Sequence, residues 1–423
     1  MGLDRLKAQV KGQKSLPNSQ NLIQPARARR CLAVFLLLAA ISAQAAGLQA
    51  SDYTAVERLI GSKDAIIVSD HQGKILLSHN ADQQRIPAST LKILTSLTAL
   101  NYLGADFRYF TDFYRDDHGN LIIKGHGDPL LISEVLKAIA GRLKQDLSSI
   151  RDIVLDDSYF AQPLTIPGVS SSSEPYDAPN GALCVNFNTV FFTKVEGRYV
   201  SAESQTPLVP FALDRVNASG LDEGRIVLSN VGDECTLYAG HLFKHFLIEQ
   251  GIDMSGRIRL GQVNKNRDTL IYRHISPYSL EDIISKLLEH SNNFTTNQML
   301  ITTGVKVFGS PGTLTKGVRT VQQYAEQHLQ LDQIHITEGS GISRRNKITA
   351  GDMNKVLNAF YPYRYLMRQQ GREYFKTGTL RGISTRAGYI ESTDETFYRY
   401  TIFINSPGKS ARKVTRLLMK QLH

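Results

Sequence analysis

Arg85-Ile86-Pro87-Ala88-Ser89-Thr90-Leu91-Lys92 is the stretch on which the reading of this chain turns. Pro87 precedes a helix-like run that begins at Ser89, in which Leu91, Leu94, Leu97 and Leu100 recur at helical spacing. Ser89 and Lys92, three residues apart, then share one face with their side chains a turn from each other. An amine so placed can take the hydroxyl proton, which makes Ser89 a nucleophile without a histidine. The helix N-terminus adds a favourable dipole and free backbone N–H groups. Upstream, Ala65-Ile66-Ile67-Val68 and Ile75-Leu76-Leu77 flank His71-Gln72-Gly73-Lys74 and predict a hairpin. Alone, a serine in this place reads as an N-cap, and S-x-x-K is a weak pattern. Ser406-Pro407-Gly408-Lys409 matches it across a helix-breaking Pro-Gly, and Ser410-Ala411-Arg412-Lys413 matches it too near the chain end for any partner.

Two later strings supply partners. Ile283, Ile284, Leu287 and Leu288 have helical spacing and place Ser291-Asn292-Asn293 at or just past a helix end. Lys376-Thr377-Gly378-Thr379 leads into the alternation Ile383, Thr385, Ala387 of a strand. S-x-N is weak, recurring at Ser19-Gln20-Asn21 and Ser78-His79-Asn80, whereas K-T-G occurs once. The ordered set S-x-x-K, S-x-N, K-T-G resembles the signature of penicillin-binding proteins and serine β-lactamases. Gly125-His126-Gly127-Asp128-Pro129, Asp156-Asp157-Ser158-Tyr159-Phe160, Ala182-Leu183 with Asn186 and Asn188, and Glu338-Gly339-Ser340-Gly341-Ile342-Ser343-Arg344 narrow it further. From about Asp64 to Asn405 the chain resembles the low-molecular-mass class C penicillin-binding proteins, the D-alanyl-D-alanine carboxypeptidase/endopeptidase group. That group usually has glycine where His126 sits and aspartate where Glu338 sits.

The resemblance implies an α+β fold, a penicillin-binding-protein/β-lactamase-like transpeptidase domain with an antiparallel sheet and helices on both sides. It implies Ser89 as nucleophile and Lys92 as base, whose pKa must fall through burial and the like charge of Lys376. By the same resemblance Ser291 relays a proton to the leaving amine, and Asn293 bonds the substrate amide. Lys376 and Thr377 hold the terminal carboxylate, Gly378 permits close approach, and the N–H groups of Ser89 and Thr379 form the oxyanion hole. Arg344 and an acid of the Asp156-Asp157 pair, Asp156 first, resemble positions near a peptide side-chain pocket, where an acid suits a free ammonium such as that of diaminopimelate. The expected partners are peptidoglycan stem peptides, with β-lactams as covalent inhibitors. Two rivals stand beside this reading. A β-lactamase needs a deacylating group with no clear counterpart here. A catalytically weak peptidoglycan-binding scaffold would have lost a motif residue, and none is lost.

Ser89 and Ser291 must meet, yet 202 positions separate them. Residues 105–275 therefore read as a β-rich insertion of one or two nested subdomains, between catalytic segments 46–104 and 276–423. Leu121–Ile123, Asp152–Leu155, Val185–Asn188, Val190–Phe192 and Arg225–Leu228 are its strand candidates, and Ser170–Ser173 a loop. A closing helix from about Ala411 carries Val414, Leu417 and Leu418 against Arg412, Lys413, Arg416 and Lys420. It is expected to pack on its sheet, with weak membrane-surface association as the alternative.

Residues 1–45 read as a signal peptide: Arg27, Arg29 and Arg30, an apolar run from Cys31 to Ile41, then Ser42-Ala43-Gln44-Ala45-Ala46. The run is short for a span, and the long basic region leaves an uncleaved anchor as the alternative. The reading implies export to the periplasm, with inner-membrane association as a variant. Without that segment, which has seven basic residues and one acid, the formal charge falls from +10 to +4. Nucleic acid is not an expected partner. Cys184 and Cys235 either bridge in an oxidising compartment or are buried thiols too far apart to do so. No Cys/His cluster has zinc spacing, so neither metal nor cofactor is expected.

Overall fold

The computed structural model describes residues 50–229 and 231–422; the signal-peptide reading of residues 1–45 lies outside them. Helix α1 (Ala50–Glu57) leads into the expected hairpin, β1 (Ala65–Ser69) and β2 (Ile75–His79). Every residue of β1 is buried; β2 pairs with one edge and a strand from the far end of the chain with the other, from Ala65↔Phe403 to Ser69↔Arg399. The serine stretch follows as a 3-10 turn, Ala88–Leu91, that runs directly into α2 (Lys92–Leu103). All residues of α2 from Lys92 to Leu100 are buried. A helix enclosed on all sides is the axle of its domain.

The segment from Arg108 to Ser279 follows. Its first half holds β3 (Arg108–Arg115), β4 (Leu121–Gly125), α3 (Ser133–Leu143), β5 (Ser149–Ile150) and β6 (Ile153–Asp156). Its second half holds β7 (Thr189–Val195), β8 (Arg198–Ser201), α4 (Pro210–Ser219) and β9 (Glu223–Val227). It closes with α5 (Gly232–Glu249), β10 (Asp253–Met254), β11 (Ile258–Leu260) and β12 (Thr269–Ser279). One sheet has the order β11-β6-β4-β3-β12 and another the order β8-β7-β9. The first is mixed: β4, β6 and β11 run parallel, while β3 and β12 are antiparallel. Phe113 and Leu121 of the first sheet and Val190 and Phe192 of the second share one hydrophobic core with Leu136 of α3, Ala212 of α4 and Leu242 of α5.

One strand expectation needs correction. Asn186–Asn188 is a 3-10 turn, with Asn186, Phe187 and Asn188 all at positive φ (46°, 59° and 55°). Buried hydrogen bonds explain it: the Asn186 amide bonds Ser133, and Asn188 Nδ2 donates to Pro179 O and Cys184 Sγ. Asparagine tolerates that region, and the two flanking residues hold Phe187 there. The cysteine question also closes: Cys184 and Cys235 are separate buried thiols, and burial raises the pKa of both.

The chain continues with α6 (Leu280–His290), α7 (Asn293–Phe308), α8 (Leu314–Leu329) and α9 (Ala350–Phe360). Then come β13 (Arg368–Gln370), β14 (Glu373–Leu380), β15 (Ile383–Glu391), β16 (Phe397–Ile404) and α10 (Ala411–Gln421). They complete an antiparallel sheet of order β13-β14-β15-β16-β1-β2. Alternation along β15 assigns its faces. Thr385 and Tyr389 meet the helical side through Pro87 O and Leu357 O of α9. Ser384 points the other way and accepts the Ala411 N–H at the start of α10. Helices thus cover both faces. Val414 and Leu418 of α10 are buried on the sheet and its basic residues stay outside, as amphipathic packing dictates.

Candidate active site

The Ala88–Leu91 turn presents the serine. Ala88 sits at φ 47°, a left-handed conformation that costs a β-carbon roughly 1–2 kcal/mol. Ala88, Thr90 and Leu91 are buried, so Ser89 alone of the four is partly open. Lys92 Nζ lies 3.0 Å from Ser89 Oγ and donates to Asn293 Oδ1 at 2.8 Å and to the Ser340 carbonyl at 2.7 Å. Its side chain is fully buried. Burial first, and then the charge of Lys376, hold the Lys92 pKa well below the ordinary 10.5, against the opposing pull of Glu338. A neutral amine 3 Å from a hydroxyl can accept its proton.

The second wall is a corner between two helices. Ser279 and Asp282 form a capping box that starts α6, whose buried stripe is Leu280, Ile283, Ile284, Leu287 and Leu288. The helix ends at Ser291 in a left-handed conformation (φ 60°). The next residue, Asn292, caps α7 by accepting the Thr295 N–H at 2.8 Å. Ser291 and Asn293 are thereby fixed on opposite sides of a two-helix junction.

The third wall is β14. Its neighbour β13 pairs only with Glu373, Tyr374 and Phe375, so from Lys376 onward that edge has no partner strand. Lys376 Nζ donates to Ser291 Oγ at 2.9 Å and to Thr377 O at 3.0 Å. Burial, and then Arg368, push its pKa down to about 8. Thr377 and Thr379 are exposed. A Cβ on Gly378 would lie 2.3 Å from Thr385 Oγ1 and 2.7 Å from Ser89 N, so glycine is what lets the strand reach the serine.

The D-Ala-D-Ala carboxypeptidase 3 (S13) family matches residues 48–221 and 223–367, most of the chain. The chain belongs to that family. It is a serine-type hydrolase of the low-molecular-mass class C penicillin-binding proteins. It is 24% identical to the D-alanyl-D-alanine carboxypeptidase of Actinomadura sp. (strain R39) over 77% of this chain and 74% of that protein. It is 23% identical to the D-alanyl-D-alanine carboxypeptidase DacB of Haemophilus influenzae over 83% and 87%. The fold is shared with the crystal structure of that penicillin binding protein 4, at TM-score 0.72 and 20% identity over 87% of this chain and 97% of the other. The same protein solved with a bound β-lactam gives TM-score 0.65 at 20% identity over 88% and 98%. Lys376-Thr377-Gly378 lies past the family match, so its place in the site rests on geometry.

In this S13 chain Lys92 joins Ser89 and Asn293 in one hydrogen-bonded group, Lys376 and Ser291 form a second whose charge acts on Lys92, and Gly378 packs against Ser89; together they make the site network. Arg344 lies at its rim, exposed, with its guanidinium on the carbonyl of Arg381 just past β14. Asp156 is not brought to the network. Its carboxylate is fully buried at the end of β6, 2.7 Å from Lys124 Nζ and accepting from Ser158 and the Val263 N–H. Burial raises its pKa, but those bonds outweigh it and the net shift is downward. As a substrate ligand it would first have to release Lys124.

The residues that organise the site without a motif of their own surround Glu338. Its buried carboxylate accepts from Ser340 N and Oγ, Gly341 N, Ser343 N, and the amides of Asn297 and Asn346. It winds the Gly-Ser-Gly loop so that the Ser340 carbonyl faces Lys92. Gly341, at φ 83°, packs where a Cβ would sit 1.9 Å from Ala88 O. The other departure from the family pattern, His126, pairs with Asp112 of β3 at 3.2 Å.

Proposed function

We propose that this S13 peptidase cleaves D-alanyl-D-alanine termini and D-alanyl cross-links of peptidoglycan stem peptides through an acyl-serine. The observation that carries the reading is the buried Lys92 amine, 3.0 Å from Ser89 Oγ and depressed in pKa. Lys92 takes the hydroxyl proton as Oγ attacks the penultimate D-alanine carbonyl, and the N–H groups of Ser89 and Thr379 hold the oxyanion. The proton passes through Ser291 to the leaving nitrogen, the C–N bond breaks, and water later releases the acyl group. Asn293 bonds the substrate amide. The Lys376 ammonium and Thr377 hydroxyl hold the leaving residue's carboxylate, and the open edge of β14 supplies backbone pairing. Arg344 borders the peptide side chain. The basic, apolar and A-x-A order of residues 27–46 supports action outside the cytoplasm.

Benzylpenicillin, whose strained amide mimics the dipeptide, tests this directly. Intact mass should show one adduct that maps to Ser89 and disappears in Ser89→Ala. An adduct retained in that variant would remove Ser89 as nucleophile. Turnover of nitrocefin far faster than release of D-alanine would favour a β-lactamase.

A further inference from the structure

On the sheet face turned away from α9, a groove of about 370 Å³ opens beside the catalytic strand. Thr377 and Thr379 form one bank, Arg368 another, and Arg412 at the start of α10 a third. It continues past Arg412 into a second hollow of about 350 Å³ bordered by Arg416 and Lys420. Arg412, Arg416 and Lys420 stand four residues apart, which aligns them on one face of α10. Like charges at that spacing repel, and among the described residues none of the three has a carboxylate partner. Arg368 is also without one. Only Arg386 on the groove floor is paired, bidentate at 2.6 Å to Glu373. Four cations without carboxylate partners, strung along the groove and the hollow that adjoins it, favour a multiply anionic ligand.

The groove starts at the two threonines that, on the proposed function, receive the leaving residue. We propose that it is a subsite for the carboxylates of the leaving stem peptide when the substrate is a cross-link. This rests on the reading above. A free D-alanine ends at Thr377 and never enters the groove. A leaving diamino acid carries a second stem peptide with further carboxylates, and the hollows that begin at Thr377 have Arg412 on their shared wall and Arg416 beyond it. Arg368 acts on Lys376 electrostatically, so the groove and the catalytic lysine lie within each other's field.

The experiment uses the full chain and the double variant Arg412→Gln/Arg416→Gln, both positions being exposed. Substrates are a D-alanyl-cross-linked tetrapeptide dimer and a monomeric pentapeptide, with benzylpenicillin acylation as reference. The variant should raise KM for the dimer about tenfold at unchanged kcat, the size expected for two partly screened ion pairs. Pentapeptide kinetics and acylation should stay as in wild type. Wild-type kcat/KM for the dimer should fall as salt rises from about 50 to about 300 mM, and less so in the variant. Equal effects on both peptides, or none, overturn the proposal. So does loss of sedimentation with phosphatidylglycerol vesicles at unchanged dimer cleavage, which would make the face a lipid contact. Absence of any benzylpenicillin adduct on wild type refutes the peptidase reading itself, and the subsite falls with it.

Discussion

Raising the pH through the titration of Lys376 separates its role from that of Lys92. Burial and Arg368 bring its pKa from 10.5 to about 8, which makes charging it roughly 3 kcal/mol less favourable than in water. Lys92 must be neutral to act and Lys376 must be charged to hold a carboxylate. The second-order rate constant for benzylpenicillin acylation should therefore be level near neutral pH and fall above about 8, approaching tenfold per pH unit. Lys376→Arg keeps its proton throughout and should move the decline beyond the accessible range. Arg368→Gln removes one depressing charge and should move it upward. Stability should run the opposite way. Between pH 8 and 10.5 the unfolded chain binds more protons at this lysine, so its contribution to stability rises as activity falls. Stopped-flow acylation and urea denaturation across that range measure both. A rate constant level to about pH 10, or a Lys376→Arg profile that still breaks near 8, refutes the assignment.

Gly378→Ala forces a Cβ to 2.7 Å from Ser89 N and should slow acylation about 100-fold, the cost of a roughly 1 Å misplacement, with the fold retained by circular dichroism. Glu338→Ala strips the partners from a buried loop; it should cost about 3 kcal/mol by urea melt and slow acylation as the Ser340 carbonyl leaves Lys92. Asp156→Ala orphans Lys124 and should lose about 3 kcal/mol of stability with benzylpenicillin acylation unchanged. A rise in peptide KM at unaltered stability would put Asp156 in the substrate pocket instead.

What the sequence made legible is what depends on local spacing. The serine–lysine turn, the helix end at Ser291 and the β1–β2 hairpin all follow from periodicity and turn residues, and the structure has them. The left-handed turn at Asn186–Asn188 did not follow. Its alternating Val185 and Phe187 imitate a strand, while its cause is side-chain bonding to Ser133 and Pro179, remote from the string itself. The same holds for the Ser340 carbonyl. A backbone oxygen has no residue signature, and the burial of Glu338 that winds the loop shows only in the fold. Helix α3 was readable, since Val135, Leu136, Ile139, Ala140 and Leu143 are spaced for one buried face.

The pairing of β1 with β16 has a consequence in time. Synthesis runs from the N-terminus, so Ser89 and Lys92 exist long before their surroundings do. A chain stopped before Phe397 already contains Ser89, Lys92, Ser291 and Lys376. It still lacks β16, which joins β15 to β1 and so ties the lysine strand to the serine segment. Until β16 pairs along both its edges, no sheet hydrogen bonds link the lysine strand to the serine segment.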